Sequence, residues 1–338
     1  MKGLYPVSVQ NNKVKYEFTV RRNITVIQGV SATGKTTLVD LIREHQLEGN
    51  DSGVSLSCRK KCVVLEGADW QRNLSLYEDC IVFIDEGNRF IATPDFARTI
   101  QATDNYYVLV TREGLENLPY SVEEIYGIHV SGKYAGLRQV YHEFYHIYGP
   151  SGSASYGSAV ASGSMDLEKV GAVLCEDSNA GFEFFNFFFS NKLSCESARG
   201  KSNIFRKVQD SDRNMLVIAD GAAFGSQMAK MMKTAFLSQK CVLFLPESFE
   251  YLLLSSLFSG RADVRKILES PSDGIESREY FSWERFFTSL LMQVTEGTYL
   301  KYAKGRLNPN YLSERVLSAV VGSRELKGLL FFTEDTGG

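Results

Sequence analysis

Gly29, Gly34, Lys35 and Thr36 stand at the spacing G-x-x-x-x-G-K-[ST], inside the stretch GVSATGKTT from Gly29 to Thr37. Each residue type in that pattern has a part in holding a phosphate chain. Glycines let backbone N–H groups curl round phosphate oxygens, and a helix that starts where the loop ends adds the positive end of its dipole. The run Gly29, Val30, Ser31, Ala32, Thr33, Gly34, Lys35, Thr36 and Thr37 is therefore expected to bind nucleotide. The Lys35 ammonium would reach the β and γ phosphates, and the Thr36 hydroxyl would bind Mg²⁺. A chance Lys-Thr after a glycine turn is the plain alternative. The flanks decide against it: the apolar run Ile24 to Ile27 supplies a strand before the loop, and Leu38, Val39, Leu41 and Ile42 supply a helix after it.

A second stretch, CIVFIDE from Cys80 to Glu86, sets two carboxylates at the end of a continuous apolar run. Such a run predicts a strand buried on both faces, with its acids at the carboxyl edge where ligands bind in open α/β sheets. Asp85 fits a residue that holds Mg²⁺, usually through water, and Glu86 fits a base that orients or activates an attacking water. Together the two stretches resemble the Walker A and Walker B motifs of P-loop NTPases. That resemblance implies ATP as ligand, Mg²⁺ as cofactor, and Lys35 and Glu86 as catalytic residues. In ATPases of this division the strand beside Walker B carries a polar residue that senses the γ phosphate. YYVLVT, Tyr106 to Thr111, is the matching run, so the resemblance makes Thr111 and Arg112 sensor residues. Arg112 could also act on a neighbouring subunit as an arginine finger, but half of a surface ion pair is the commoner role for one Arg taken alone.

The elements that must position these residues are legible around them. Val7 to Val9 and Val14 to Val20 alternate apolar and polar residues about Asn11-Asn12, which predicts a hairpin feeding a strand over Asn23 to Gln28. An antiparallel hairpin ahead of the glycine loop resembles, in arrangement, the nucleotide-binding lobe of ABC-type and RecF-like ATPases. The interval between the two motifs is too short for the ABC helical subdomain and holds no LSGGQ-like signature, so no ABC-style nucleotide sandwich is expected. A helix is expected from Lys35 to His45 and a short strand from Cys62 to Glu66. Ile125 to Val130 and Leu137 to Ile147 read as a second hairpin around Ser131 to Gly136. In its second arm His142, Phe144 and His146 share a face. Histidines four apart on a strand stand too far apart to share a metal, so they are read as packing residues.

PSGSASYGSAVASGS, Pro150 to Ser164, is dominated by small residues and carries no periodic pattern, which predicts a flexible linker and a domain boundary. A second α/β pattern follows. Val170 to Cys175 reads as a strand ending in Glu176-Asp177. Near Gly181 begins a helix whose phenylalanines, at 182, 184, 185, 187, 188 and 189, are read as core. Met215 to Ala219 reads as a strand ending in Asp220-Gly221-Ala222. Phe224-Gly225 leads into a helix with Met228, Met231 and Met232 as core, and Cys241 to Leu245 is a strand followed by Glu247-Ser248-Phe249-Glu250. From about Glu276 on the chain reads mainly as helix, with Lys301, Lys304, Arg306 and Arg315 as a basic cluster.

These acids at strand ends resemble a Toprim domain, the metal-binding module of topoisomerases, primases and the overcoming-lysogenization-defect nucleases. The family places a Glu after its first strand and a D-x-D after a later one, jointly holding Mg²⁺. Glu176 matches the first position and Asp220 the first acid of the second, while Ala222 departs from the pattern. Glu247 and Glu250 could supply the missing carboxylate, because Mg²⁺ needs only one or two protein carboxylates beside water and phosphate. The resemblance then implies Glu176 as base or ligand, Asp220 with Glu247 or Glu250 as metal ligands for phosphodiester attack, and Lys201 and Lys304 against nucleic-acid phosphates. As isolated lysines, both are more often solvated surface charges.

The whole chain bounds these readings. Its 338 residues allow two domains. A net charge of −3 excludes a strongly basic nucleic-acid coat. No run of about 18 apolar residues predicts a membrane span, and the first residues show no secretory signal. Cysteines at 58, 62, 80, 175, 195 and 241 follow no disulfide framework, and Cys58 with Cys62 would be half of a zinc site but has no second ligand pair at matching spacing, which fits free thiols and a reducing cytoplasm. The expected architecture is α/β: residues 1–149 as a P-loop ATPase lobe with antiparallel hairpins, 150–165 as linker, and 166–338 as a Toprim-like α/β domain with C-terminal helices. The expected function is an ATPase coupled to a metal-dependent nuclease or nucleic-acid-sensing domain, with a place in anti-phage or foreign-DNA defence implied by the resemblance. The alternative is a nucleotide-dependent scaffold or sensor whose second domain binds a partner protein without chemistry. A small-molecule kinase is a third reading, disfavoured by the apolar strand ending in Asp85-Glu86. Nucleic acid, a partner protein or a homo-oligomer are the expected partners, and a membrane is not.

Overall fold

The computed structural model describes residues 1–29, 33–131, 139–148, 159–161, 169–238, 240–323 and 326. It is a mixed α/β protein that divides into two compact units. Met1–Tyr120, Glu124–Ile147 and Pro271–Ser282 form the first, and the rest of the described chain, including Ser121–Glu123, forms the second.

The first unit is built on a nine-stranded sheet. Strand β1 (Tyr5–Gln10) pairs antiparallel with β2 (Val14–Val20), and β3 (Ile24–Ile27) leads to the glycine loop and helix α1 (Lys35–Glu48). Then come β4 (Ser55–Ser57), β5 (Lys61–Val64), α2 (Trp70–Leu74), β6 (Cys80–Ile84), α3 (Pro94–Gln101) and β7 (Tyr106–Val110). The hairpin of β8 (Ile125–Val130) and β9 (Val140–His146) completes the sheet. Strand order is β4-β1-β2-β9-β8-β3-β7-β6-β5. The run β8, β3, β7, β6, β5 is parallel throughout. In β3, β6 and β7 every residue is buried, as strands covered on both faces require. Strand β1 alternates instead, Val7 and Val9 inward against Ser8 and Gln10. Leu38, Val39, Leu41 and Ile42 of α1 join Ile27, Ile81, Phe83, Val108 and Val110 in one core cluster. That packing anchors the end of the loop on the sheet.

The second unit has a five-stranded sheet, ordered β10-β14-β13-β11-β12. It contains β10 (Ala159–Ala161), β11 (Ala172–Cys175), α4 (Ala180–Phe189), β12 (Ser194–Ser197), α5 (Lys201–Asp210) and β13 (Met215–Ile218). It continues through α6 (Met228–Ser238), β14 (Cys241–Leu245), α7 (Phe249–Leu257) and α8 (Ala262–Glu269). The chain then returns to the first unit with α9 (Pro271–Gly274) before α10 (Trp283–Thr295) and α11 (Glu314–Val321) finish the second. Strands β11 to β14 are parallel, so their carboxyl ends share one edge, while β10 runs antiparallel on β14.

Three sequence readings need correction. Ala159–Ala161, inside the expected linker, pairs with Leu243–Leu245 as a sheet edge, where small apolar residues satisfy their backbone groups. The rest of 150–165 lies outside the described residues. Residues 166–338 are not one domain, because Pro271–Ser282 is held in the first unit: Gly3 donates to the Ser272 carbonyl at 2.7 Å, and Asn23 Nδ2 to that of Ser277 at 3.3 Å. In α4, Phe184, Phe185 and Phe189 are core but Phe187 is 46% exposed, on the outer side of the helix.

Candidate functional site

In the first unit the carboxyl ends of β3, β6 and β7 carry Gly29, Asp85 and Thr111 to one edge of the parallel sheet. The backbone at Gly29 and Gly34 has φ of +140° and +92°, angles that favour glycine. Lys35, the first residue of α1, turns its ammonium back along the loop, donating to the Gly29 carbonyl at 2.9 Å and to Thr33 Oγ1 at 3.1 Å. Burial lowers its pKa, opposed by the nearby Glu86 carboxylate, with Arg112 lowering it further and Asp85 raising it. Thr36 and Thr37 are exposed on the first turn. Val30, Ser31 and Ala32 lie outside the described residues.

Asp85 and Glu86 sit just past β6. Asp85 Oδ1 accepts the Glu86 N–H at 2.8 Å, and the Asp85 carbonyl accepts from Asn88, so this turn is fixed by its own polar groups. Arg112 reaches Glu86 with both arms, Nε to Oε2 at 2.9 Å and Nη2 to Oε1 at 2.6 Å. The ion-pair reading of Arg112 thus describes its contacts here. Thr111 is buried, and its hydroxyl donates to the Glu113 carbonyl at 2.9 Å.

Behind the loop stands a pair that the sequence marked only in part. Tyr16 of β2 and His142 of β9 are register partners on adjacent strands, and their rings stack at 4.5 Å and 9°. The Tyr16 hydroxyl donates to the Gly34 carbonyl at 2.9 Å. Burial pushes the Tyr16 phenol up to about 12, and lowers the His142 pKa with help from His129. Packing is the right description of His142 and of Phe144, which stacks on Phe18 at 4.4 Å; His146 is exposed, its ring beside Tyr126.

In the second unit, Glu176 follows β11, Asp220 follows β13, and Glu250 lies in the first turn of α7. Glu176 Oε2 accepts the Asp220 N–H at 3.2 Å, and Asp220 Oδ1 accepts the first N–H of α7, from Phe249, at 3.0 Å. Tyr302 donates to Glu250 Oε1 at 2.8 Å. Burial pushes the Glu176 carboxyl up to about 7 and raises Asp220 well above the carboxylate range; for Asp220 the strongest carboxylate neighbours are Glu284, Glu250 and Glu176. Glu284, from α10, carries no sequence signal of this role, because it sits in an amphipathic helix more than sixty residues beyond Asp220, with no motif around it. Glu247 is buried, and its backbone carbonyl accepts the Ala222 N–H at 3.0 Å.

The two lysines assigned to phosphates face these acids. Lys304 forms an ion pair with Glu284; burial works against its charge, yet Glu284, Glu250 and Asp220 together raise its pKa. Lys201 donates to the Ala223 carbonyl at 2.8 Å; burial lowers its pKa while Glu176 and Glu284 oppose. Lys301 pairs with Glu296, so two residues of the expected basic cluster, Lys301 and Lys304, are held in ion pairs. The Asp177 carboxylate acts locally, accepting the N–H groups of Ser178, Asn179 and Gly181 and so capping the start of α4. A small open pocket, with about 30 Å³ of room, lies between Glu176, Asp177, Asp220, Phe185 and Phe249.

The donor sets differ in their fit to Mg²⁺. Thr36 and Asp85 offer a hydroxyl and a carboxylate on one edge, enough for an ion that also takes phosphate oxygens and water. In the second unit, the oxygens of Glu176, Asp220 and Glu250 accept hydrogen bonds from the protein and Glu284 holds Lys304. Among the described residues no three His, Cys, Asp or Glu side chains are arranged to hold a metal ion. A metal ion at this cluster would have to compete for these carboxylates with Lys304, Tyr302 and backbone N–H groups.

Comparison with known protein families and with curated proteins finds no match. No helix among the described residues is long and apolar enough to cross a membrane.

Proposed function

We propose that the first unit binds ATP with Mg²⁺ and hydrolyses it. The observation that carries this reading is the Lys35 ammonium folded into the Gly29–Gly34 turn, at the same sheet edge as Asp85 and Glu86. In that role Lys35 exchanges its contacts with Gly29 and Thr33 for β and γ phosphate oxygens, and the backbone N–H groups at the start of α1 add to the field. Thr36 and Asp85 would hold Mg²⁺, which would offset charge on the phosphates. Glu86 orients the attacking water. Arg112 engages one lone pair on each Glu86 oxygen, and the second lone pair of each stays available to accept from water. Arg112 is exposed and so is free to turn toward phosphate charge.

The second unit is read as a Toprim-like unit without nuclease chemistry, a scaffold or sensor that responds to the nucleotide cycle. The engagement of its acids by Lys304, Tyr302 and backbone N–H groups favours this over the metal-dependent nuclease. Mg²⁺-dependent phosphate release should be lost in Lys35→Ala and reduced by at least about a hundredfold in Glu86→Gln; equal rates in parent and variants would refute the ATPase. Plasmid DNA incubated with Mg²⁺ or Mn²⁺ should stay intact. Cleavage by the parent that disappears in Glu176→Ala would restore the nuclease reading.

A further inference from the structure

Gly34 is wedged between the loop and the aromatic pair behind it. A β-carbon placed on Gly34 would come within 2.7 Å of the Tyr16 hydroxyl and 2.8 Å of His142 Cε1. Tyr16 has no exposed surface, so it is not placed to stack on a nucleotide base. Its hydroxyl and the Leu38 N–H, at 2.9 and 3.0 Å, both address the Gly34 carbonyl. The peptide joining Gly34 to Lys35 is planar and trans, so its N–H points opposite to its carbonyl. Fixing the carbonyl toward Tyr16 therefore fixes the Lys35 N–H on the other side, away from the aromatic pair.

We propose that Tyr16 and His142 are positioning residues for phosphate binding: a stacked floor that holds the Gly34–Lys35 peptide with its N–H directed to the nucleotide. The inference rests on the ATPase reading of the first unit. The register of β2 and β9 sets the two rings opposite each other, so β9 supports a loop more than a hundred residues earlier in the chain. The phenol donates and stays neutral across physiological pH, because burial opposes its ionisation. His142 is likewise held toward its neutral form, which keeps a second positive charge from competing with Lys35 for the phosphates.

Tyr16→Phe keeps the ring and removes the hydrogen bond. It should raise KM for ATP by about three- to tenfold, the range of one hydrogen bond, with kcat within about twofold of the parent. The melting temperature should hold, since Gly34 retains the Leu38 N–H. His142→Ala should raise KM in the same way, and His142→Phe, which restores a ring, should recover most of that loss. These histidine variants keep the test available should the Tyr16 variant fold poorly. Lys35→Ala, assayed for binding of a fluorescent ATP analogue, separates the two ideas. If Lys35→Ala loses binding while Tyr16→Phe and His142→Ala keep the parent KM, the floor is refuted alone. If Lys35→Ala binds like the parent, the phosphate loop fails and the floor with it.

Discussion

At Glu176 burial links protonation to folding. Its carboxyl is raised from the ordinary 4.5 to about 7, first by burial, with the Asp220 N–H and Lys201 opposing and Glu284 adding to the rise. A raised carboxyl binds its proton more tightly in the folded state than in the unfolded one. Its contribution to stability is then fully present below about pH 4.5 and is lost as pH rises through about 7. At about 1.4 kcal/mol per unit, the loss across that window is on the order of 3 kcal/mol. Urea denaturation of the parent should show this fall between pH 4.5 and 7.5, and Glu176→Gln should flatten it. A parent curve that rises with pH over that window would contradict the assignment. Ala222 also acquires a physical reading at this scale. The neighbouring Gly221 lies so close to β14 that a β-carbon there would meet the Leu245 and Pro246 carbonyls at 2.9 and 3.0 Å, and Ala222 itself is buried with its N–H on the Glu247 carbonyl. This turn is used to join two strands, and a carboxylate at position 222 would have to be buried within it.

Helix α10 serves both packing and charge. Its inner face packs Phe287 and Leu291, both fully buried, with the Phe287 ring edge-on to Tyr251 of α7 at 4.9 Å. Its first turn carries Glu284 to Lys304, completing the charge network around Asp220. The two roles differ in cost. Phe287→Ala should destabilise the second unit by about 3–5 kcal/mol, since it leaves a cavity in a closed core. Glu284→Gln should cost far less, because Lys304 keeps Glu250 and Asp220 as partners. Chemical denaturation of the two variants measures the difference, and equal costs would show that the charge network holds the helix as firmly as the packed Phe287 ring does. The stack of β2 on β9 is likewise a product of elements: the pairing of the two strands creates the support for Gly34, and neither strand has it alone.

For the molecule as a whole, the first unit is not closed by the N-terminal half of the chain. Pro271–Ser282 adds buried Ile275 and the hydrogen bonds of Ser272 and Ser277 to it. A fragment ending at residue 147 should therefore unfold at lower urea than the same fragment fused to 271–282 through a flexible linker. The expected difference is about 2–4 kcal/mol, from one buried aliphatic side chain and a few hydrogen bonds. Identical midpoints would mean that this segment only touches the first unit.

The sequence by itself determined the glycine loop, the buried strands that end in Asp85, Thr111, Glu176 and Asp220, and both hairpins of the first sheet. Those features rest on local rules: glycine at positive φ, apolar runs in covered parallel strands, alternation in half-covered ones. Tertiary structure alone decided which side chains meet. Tyr16 and His142 read as ordinary strand residues until their register is known, since their partnership depends on the pairing of β2 with β9. Lys304 reads as a phosphate contact or a surface charge and Glu284 carries no signal, and packing sets both beside Asp220 and Glu250. Arg112 was open between two readings, and the distance to Glu86 fixes its contact. The return of Pro271–Ser282 to the first unit carries no local signal, because burial of Ile275 depends on a surface formed by residues far away in the chain. Motifs are local in sequence; charge networks, supporting rings and unit boundaries are set by contacts between distant segments, and those contacts exist only once the chain has packed.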